Sequence, residues 1–140
     1  MKFLRRYLFL FFLKQKNLEL LSILPNHQKI LWINVSAPSL GDSLMDLSSR
    51  VLLAGRSVDL FSDAKNINLY LDDQYFNNVY SKASQLNNHE YDLVILDSYS
   101  TRSIKIKAKV APNTVFVGMF GYFNGPEVNR ILYLYHQMNS

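Results

Sequence analysis

The sequence predicts an α/β protein built on an open, mostly parallel, doubly wound sheet, and three observations carry that expectation. Four short runs, 29–35 (KILWINV), 58–62 (VDLFS), 91–97 (YDLVILD) and 114–119 (TVFVGM), are apolar over most of their length. Strands with so little polar alternation belong inside a sheet covered on both faces, as parallel sheets are. Stretches of helical spacing separate these runs, so strand and helix alternate as in βαβ units. With 140 residues, 49% of them hydrophobic, the chain has the length of one domain and can bury a sizeable core.

Residues 1–24, MKFLRRYLFLFFLKQKNLELLSIL, read as a basic amphipathic helix preceding the domain proper, 25–140. The uncharged run 7–13 is seven residues long, whereas a membrane-spanning helix needs about 20. Lys14, Gln15 and Lys16 follow it without a small-x-small cleavage site, which argues against a signal peptide. Leu4, Leu8, Phe11 and Leu18 share one helical face. Two readings of that face stay open: it docks on the domain, or it lies in a membrane interface with its cations against anionic lipid.

Charge is unevenly spread. Lys2, Arg5, Arg6, Lys14 and Lys16 give the first 16 residues +5, and the remaining 10 of the 15 basic residues face 11 acids, a balance of −1. The domain therefore has no excess for gripping a phosphate backbone, and a nucleic-acid partner is not expected. The absence of Cys excludes disulfides and thiolate metal sites and fits a reducing cytosol. His27, His89 and His136 lack ligand spacing, so no metal is expected.

Between the first two strands, Leu44, Leu47, Val51 and Leu52 recur at helical spacing, with Gly55 where a C-terminal cap belongs. Ile67, Leu69 and Leu71 alternate like a short strand, Asp72-Asp73 reads as a turn, and 77–81 suggests an edge piece. Residues 103–110 alternate at strand period, yet two parallel strands need a crossover, which favours a helix or an irregular crossover. Pro126 opens a last helix with Val128, Ile131, Leu132 and Tyr135 on one face.

Doubly wound sheets collect ligands at the carboxyl ends of their strands, which nominates 36–43 (SAPSLGDS) and 97–100 (DSYS). The first loop holds a single glycine, Gly41, rather than G-x-G-x-x-G, and no Gly-Lys-Ser or Gly-Lys-Thr occurs, so no nucleotide cofactor is expected. It does offer Asp42 at the first turn of a helix. Asp42 or Ser43 serves there as an N-cap, or Asp42 is a general base whose ionised form the helix dipole favours, and the two roles are compatible. Arg102, Lys105 and Lys109 fall at i, i+3 and i+7, either a solvated basic face or a set of cations for phosphates. Arg56 reads as the complement of a helix C-terminus, and Phe120, Tyr122 and Phe123 as sugar-stacking or packing aromatics.

Taken together, KILWINVSAPSLGDSLMDLSSRVLLAGRSVDLFS and YDLVILDSYSTRS resemble the N-terminal half of glycosyltransferase family 9, the ADP-heptose lipopolysaccharide heptosyltransferases. The resemblance runs over about 29–125 and rests on a strand, a serine-containing loop ending in Leu-Gly-Asp, and a helix leading into the second strand. It implies a Rossmann-like N-terminal domain of a GT-B glycosyltransferase that receives the lipopolysaccharide inner-core acceptor, with Asp42 as general base for an inverting transfer from ADP-heptose. It implies acceptor contacts from Ser36, Ser39, Gly41, Ser98 and Arg102. Ser36, Ala37 and Pro38 stand where some relatives have Lys or Thr. The resemblance further implies that the C-terminal donor domain is absent, that the chain alone lacks transferase activity, and that it works in the cytoplasm, peripheral on the inner membrane. Two other readings stand beside it: a non-catalytic binding module for a nucleotide or anion, and a silent remnant held at the membrane by residues 1–24.

Overall fold

The structure, a computed structural model, describes residues 2–87, 89–96 and 100–118. Six strands, β1 (Glu19–Leu20), β2 (Lys29–Asn34), β3 (Ser57–Ser62), β4 (Asn78–Tyr80), β5 (Leu93–Leu96) and β6 (Phe116–Gly118), form one sheet in the order β1-β6-β5-β2-β3-β4. All pairings are parallel. In the middle, Trp32 of β2 stands opposite Leu60 of β3 and Ile95 of β5. The apolar runs form strands because the sheet is covered on both sides. On one face, α1 (Lys2–Phe12) and α3 (Thr101–Val110) enclose Leu31, Ile33, Val94, Leu96 and Phe116. On the other, α2 (Leu40–Asp46) and the 3-10 turns of Ser48–Leu53 lead Leu47 and Leu53 onto Ile30, Trp32, Leu60 and Ile95.

All four expected strands are present, as are the edge piece near Val79, now β4, and the crossover helix over 101–110. Three expectations give way. The helix expected over 1–24 ends at Phe12, because Lys14 adopts φ 55° and the Gln15 N–H bonds back to the Leu10 carbonyl at 2.7 Å, a Schellman-type stop. A lysine fills a position usually held by glycine, so the sequence carries no stop signal. The chain then turns into β1, which pairs with β6 at the sheet edge. The alternation at Ile67, Leu69 and Leu71 is a 3-10 turn, Ile67–Leu69, and the buried residue is Tyr70 instead. After α2 the chain tightens to 3-10 geometry, leaving Leu44 and Val51 exposed while Leu47 and Leu53 are buried.

Of the two readings of the face of Leu4, Leu8 and Phe11, docking on the domain is not what the structure shows. Leu10 is buried, Leu13 packs against the same core, and Arg6 bonds Glu19 of β1 at 3.0 Å, whereas Leu4, Leu8, Phe11 and Phe12 are exposed. Arg56 donates to the carbonyls of Leu24 and His27 at 3.1 and 2.9 Å, holding the turn before β2 rather than a helix end. Burial, aided by the Arg56 charge, lowers the pKa of His27, whose Nδ1 accepts the Leu24 N–H at 3.0 Å. The expected helix at 126–140 lies outside the described residues.

A lysine fastens α1 to α3. Lys107 is fully buried, its ammonium donates to Gln15 Oε1, and it lies 5.3 Å from the centre of the Phe116 ring. Gln15 in turn donates to the Pro112 carbonyl at 3.2 Å. Burial disfavours the charged form and lowers the Lys107 pKa from 10.5 to about 8. Between those values the unfolded chain holds a proton that the folded chain has released, so stability rises with pH. Chemical denaturation at pH 8 and pH 10 is expected to show a change in stability about 2 kcal/mol more favourable in the native chain than in Lys107→Met. The comparison cancels the opposing contribution of Tyr80 and Tyr91, whose phenols burial holds protonated in the folded chain as pH rises.

Candidate functional site at the switch point of the sheet

Strand order reverses at β2: the chain proceeds to β3 and β4 on one side, then returns to β5 and β6 on the other. The loops leaving β2 and β5 therefore part toward opposite faces of the sheet, and the crevice between them is where ligands bind in folds of this type. Three loops meet there through Asp63, the residue after β3. Its Oδ2 accepts the Ser36 backbone N–H at 2.8 Å and its Oδ1 accepts from Arg102 Nη1 at 2.6 Å. Across the crevice, Ser36 Oγ donates to Ser100 Oγ at 3.3 Å. Ser36 has φ 67°, a conformation uncommon outside glycine, and its two hydrogen bonds hold it there.

Each helix that borders the crevice is capped by a serine. Ser100 caps α3, accepting the Arg102 N–H at 3.0 Å. Ser39 caps α2 in a capping box: its Oγ accepts the Asp42 N–H at 3.2 Å, and Asp42 Oδ2 accepts from the Ser39 N–H at 3.0 Å and the Ser39 hydroxyl at 2.6 Å. Asp42 is therefore the third residue of the helix, and the N-cap is Ser39, not Asp42 or Ser43. Ser43 turns inward, donating to Asn34 Oδ1 at 2.7 Å and lying 2.8 Å from the Tyr70 hydroxyl, while Asn34 Nδ2 reaches Asp46 at 3.3 Å. This buried polar group ties α2 to the end of β2 and fixes how Asp42 is presented.

Gly41 stands beside Asp42 in the same turn. A Cβ there would meet Ser39 Oγ at 3.7 Å, ordinary van der Waals contact, so the fold does not require glycine at this place.

The sequence candidates thus fall into two groups. Ser39, Gly41 and Asp42 share the first turn of α2. Ser36 and Arg102 meet through Asp63. Ser98 lies outside the described residues, as do Phe120, Tyr122 and Phe123. Arg102, Lys105 and Lys109 do not act as one cationic row: Arg102 pairs with Asp63, whereas Lys105 lies 4.8 Å from the centre of the Phe9 ring on α1. Asp63 was not among the sequence candidates, although it lies at the carboxyl end of the run 58–62, the kind of position that nominated 36–43 and 97–100. The Arg102 side chain is 54% exposed, and an ion pair of that kind is worth at most about 1 kcal/mol. An anionic ligand can draw the guanidinium from Asp63 at small cost. The Ser36–Asp63–Ser100–Arg102 cluster presents serine hydroxyls and an exchangeable cation, and the first turn of α2 presents a carboxylate oriented by Ser39, groups suited to a polyhydroxylated or anionic ligand.

No protein-family model matches the chain at a significant level, and neither does a curated protein or a solved structure. Its own geometry defines an α/β protein with a parallel, Rossmann-like sheet and a hydrogen-bonded cluster of polar side chains at the switch point. Replacing Ser39 with Ala removes one half of the capping box and the hydroxyl that steadies Asp42. Urea unfolding is expected to register a loss of about 1 kcal/mol, and a loss below the resolution of the measurement would remove the box as an anchor of α2.

Proposed function

We propose that the chain is the acceptor-side part of a family 9 glycosyltransferase of GT-B form, with Asp42 as the general base of an inverting sugar transfer. The observation that carries this reading is the placement of Asp42: the Leu-Gly-Asp of the resemblance puts a half-buried carboxylate at the carboxyl edge of a parallel sheet, oriented by two bonds from Ser39 and flanked by a glycine the fold does not need.

In this reading the acceptor is a lipopolysaccharide inner-core sugar and the donor ADP-heptose, whose contacts come from a C-terminal domain. The acceptor hydroxyl gives its proton to Asp42 as its oxygen bonds to the anomeric carbon, and the bond to ADP breaks with its electron pair leaving on the phosphate. Ser39 keeps the carboxylate aimed. Ser36, Ser100 and Arg102 receive anionic groups of the acceptor, Arg102 by leaving Asp63. Such a protein works in the cytoplasm at the inner membrane. A second reading, a non-catalytic binding module, draws on the same capping box, since a carboxylate that already accepts two hydrogen bonds from Ser39 has a sufficient structural role.

The two readings part on Asp42 and Gly41. With a donor-binding domain supplied, Asp42→Asn keeps an oxygen for the capping box but loses the base. Turnover is expected to fall by about a hundredfold or more, with acceptor affinity and melting temperature little changed. Unchanged turnover leaves Asp42 as a cap. In the isolated chain, Gly41→Ala should leave stability the same or higher by up to about 1 kcal/mol. Titration with an inner-core oligosaccharide, followed by calorimetry, should nevertheless show weaker binding.

A further inference from the structure

Among the described residues, the surface that α1 turns away from the sheet groups five exposed bulky apolar side chains on one helix. At 100° per residue, Tyr7, Phe11, Leu4, Leu8 and Phe12 follow one another around an arc of about 140°, and all five are exposed. The opposite arc, with Arg6, Leu10 and Leu13, makes the contact with the core and with Glu19. The helix therefore docks by its narrower side and presents its broader apolar side outward. Leu4, Leu8, Phe9 and Phe12 line, with Arg5 and the core-packed Leu13, an open groove of about 450 Å³ that runs from this side toward the docked one. Burying apolar area is the main favourable term in folding, so an outward row of two phenylalanines and two leucines points to a partner phase.

Charge identifies that phase. Neither α1 (KFLRRYLFLFF) nor the helix packed beside it, α3 (TRSIKIKAKV), contains an acidic residue. Two cations bracket Phe9 at the groove: the Arg5 guanidinium lies 5.9 Å and the Lys105 ammonium 4.8 Å from its ring centre. Lys109, one turn beyond Lys105 on α3, and Lys14, just past the end of α1, are exposed as well. Lys16 and Arg6 are partly neutralised by Glu19, at 2.8 and 3.0 Å. An apolar row edged by cations that acids do not offset matches a surface whose interior is hydrocarbon and whose boundary is negative. A cytosolic protein partner would ordinarily meet apolar side chains with a mixed polar rim.

We propose that the α1–α3 face seats on an anionic lipid bilayer, with Leu4, Leu8, Phe11 and Phe12 at the level of the upper acyl chains and Arg5, Lys105 and Lys109 against headgroup phosphates. Among the described residues no helix is long and apolar enough to cross a membrane, so the attachment is interfacial. Seated in this way, α1 lies in the membrane plane and the sheet stands above it, anchored through Leu10 and the Lys107–Gln15 contact. The proposal does not rest on the glycosyltransferase reading; it requires only the fold and the surface of α1 and α3.

Flotation of the full chain with vesicles tests it. The chain should float with phosphatidylcholine vesicles containing phosphatidylglycerol and remain at the bottom with phosphatidylcholine alone. Arg5→Gln, Lys105→Gln and Lys109→Gln combined should weaken partition about tenfold or more. Leu8→Ser with Phe12→Ser should weaken it about a hundredfold. The replaced side chains are exposed, and an unchanged circular-dichroism melt confirms that each variant is folded. Failure to float with anionic vesicles overturns the proposal, as does a Leu8→Ser, Phe12→Ser variant that floats like the native chain. A native chain that sediments as a dimer, becomes monomeric in that variant and does not float shows that a second copy covers the face, which also overturns it.

Discussion

Strand β2 has a parallel partner on each side, and the rest of the molecule follows from that constraint. A strand bonded to β3 and β5 and covered by helices above and below has no solvent-facing side, so Ile30 to Asn34 are all buried. Parallel neighbours also require every connection to cross over a face of the sheet. The connections after β2 and β5 cross on opposite faces, and they leave between them the one kind of place in such a sheet where backbone diverges and polar side chains gather without costing core packing. The Ser36, Asp63, Ser100 and Arg102 cluster is the occupant of that gap.

The polar groups nearby are graded by burial. Under α2, Asn34, Ser43, Tyr70 and Asp46 are closed off from water and satisfied by one another, so they hold geometry. Above them, Ser39 and Asp42 are open enough to meet a ligand but still bonded to each other. Beside them, Asp63 is mostly covered while its partner Arg102 is exposed, so it is the guanidinium that can exchange. This order, rigid below and exchangeable above, is what a site needs if a carboxylate must be held in one direction while a charged ligand comes and goes.

Burial also explains why α1 belongs to the domain although its composition sets it apart. One narrow side of the helix contributes Leu10 to the core, β1 extends the same segment into the sheet, and Lys107 reaches from α3 to Gln15. A lysine ammonium out of water needs compensating contacts, and here an amide oxygen, a carbonyl and an aromatic ring surround it. The consequence is that the broad apolar side of α1 is held outward by a rigid support rather than on a loose tail.

Much of the architecture was legible in the chain itself. The runs KILWINV and YDLVILD announce buried parallel strands because no side of such a strand is left for polar residues, and Gly55, at φ 86°, marks the stop of the 3-10 stretch after α2, a turn that its lack of a Cβ permits. Asp42 was found for a similar reason, since a carboxylate at the start of a helix that follows a buried strand has few places to be. What the chain could not announce depends on contacts between distant segments. The stop at Lys14 uses a residue with no preference for φ 55°, and β1 exists because two residues find an open sheet edge 97 positions later. Which side of α1 is buried, and that Asp63 links Ser36 to Arg102, were likewise decided by the packing of helix on sheet and loop on loop. Local spacing records what each segment prefers by itself, whereas pairing and burial choose among those preferences by what lies across from it.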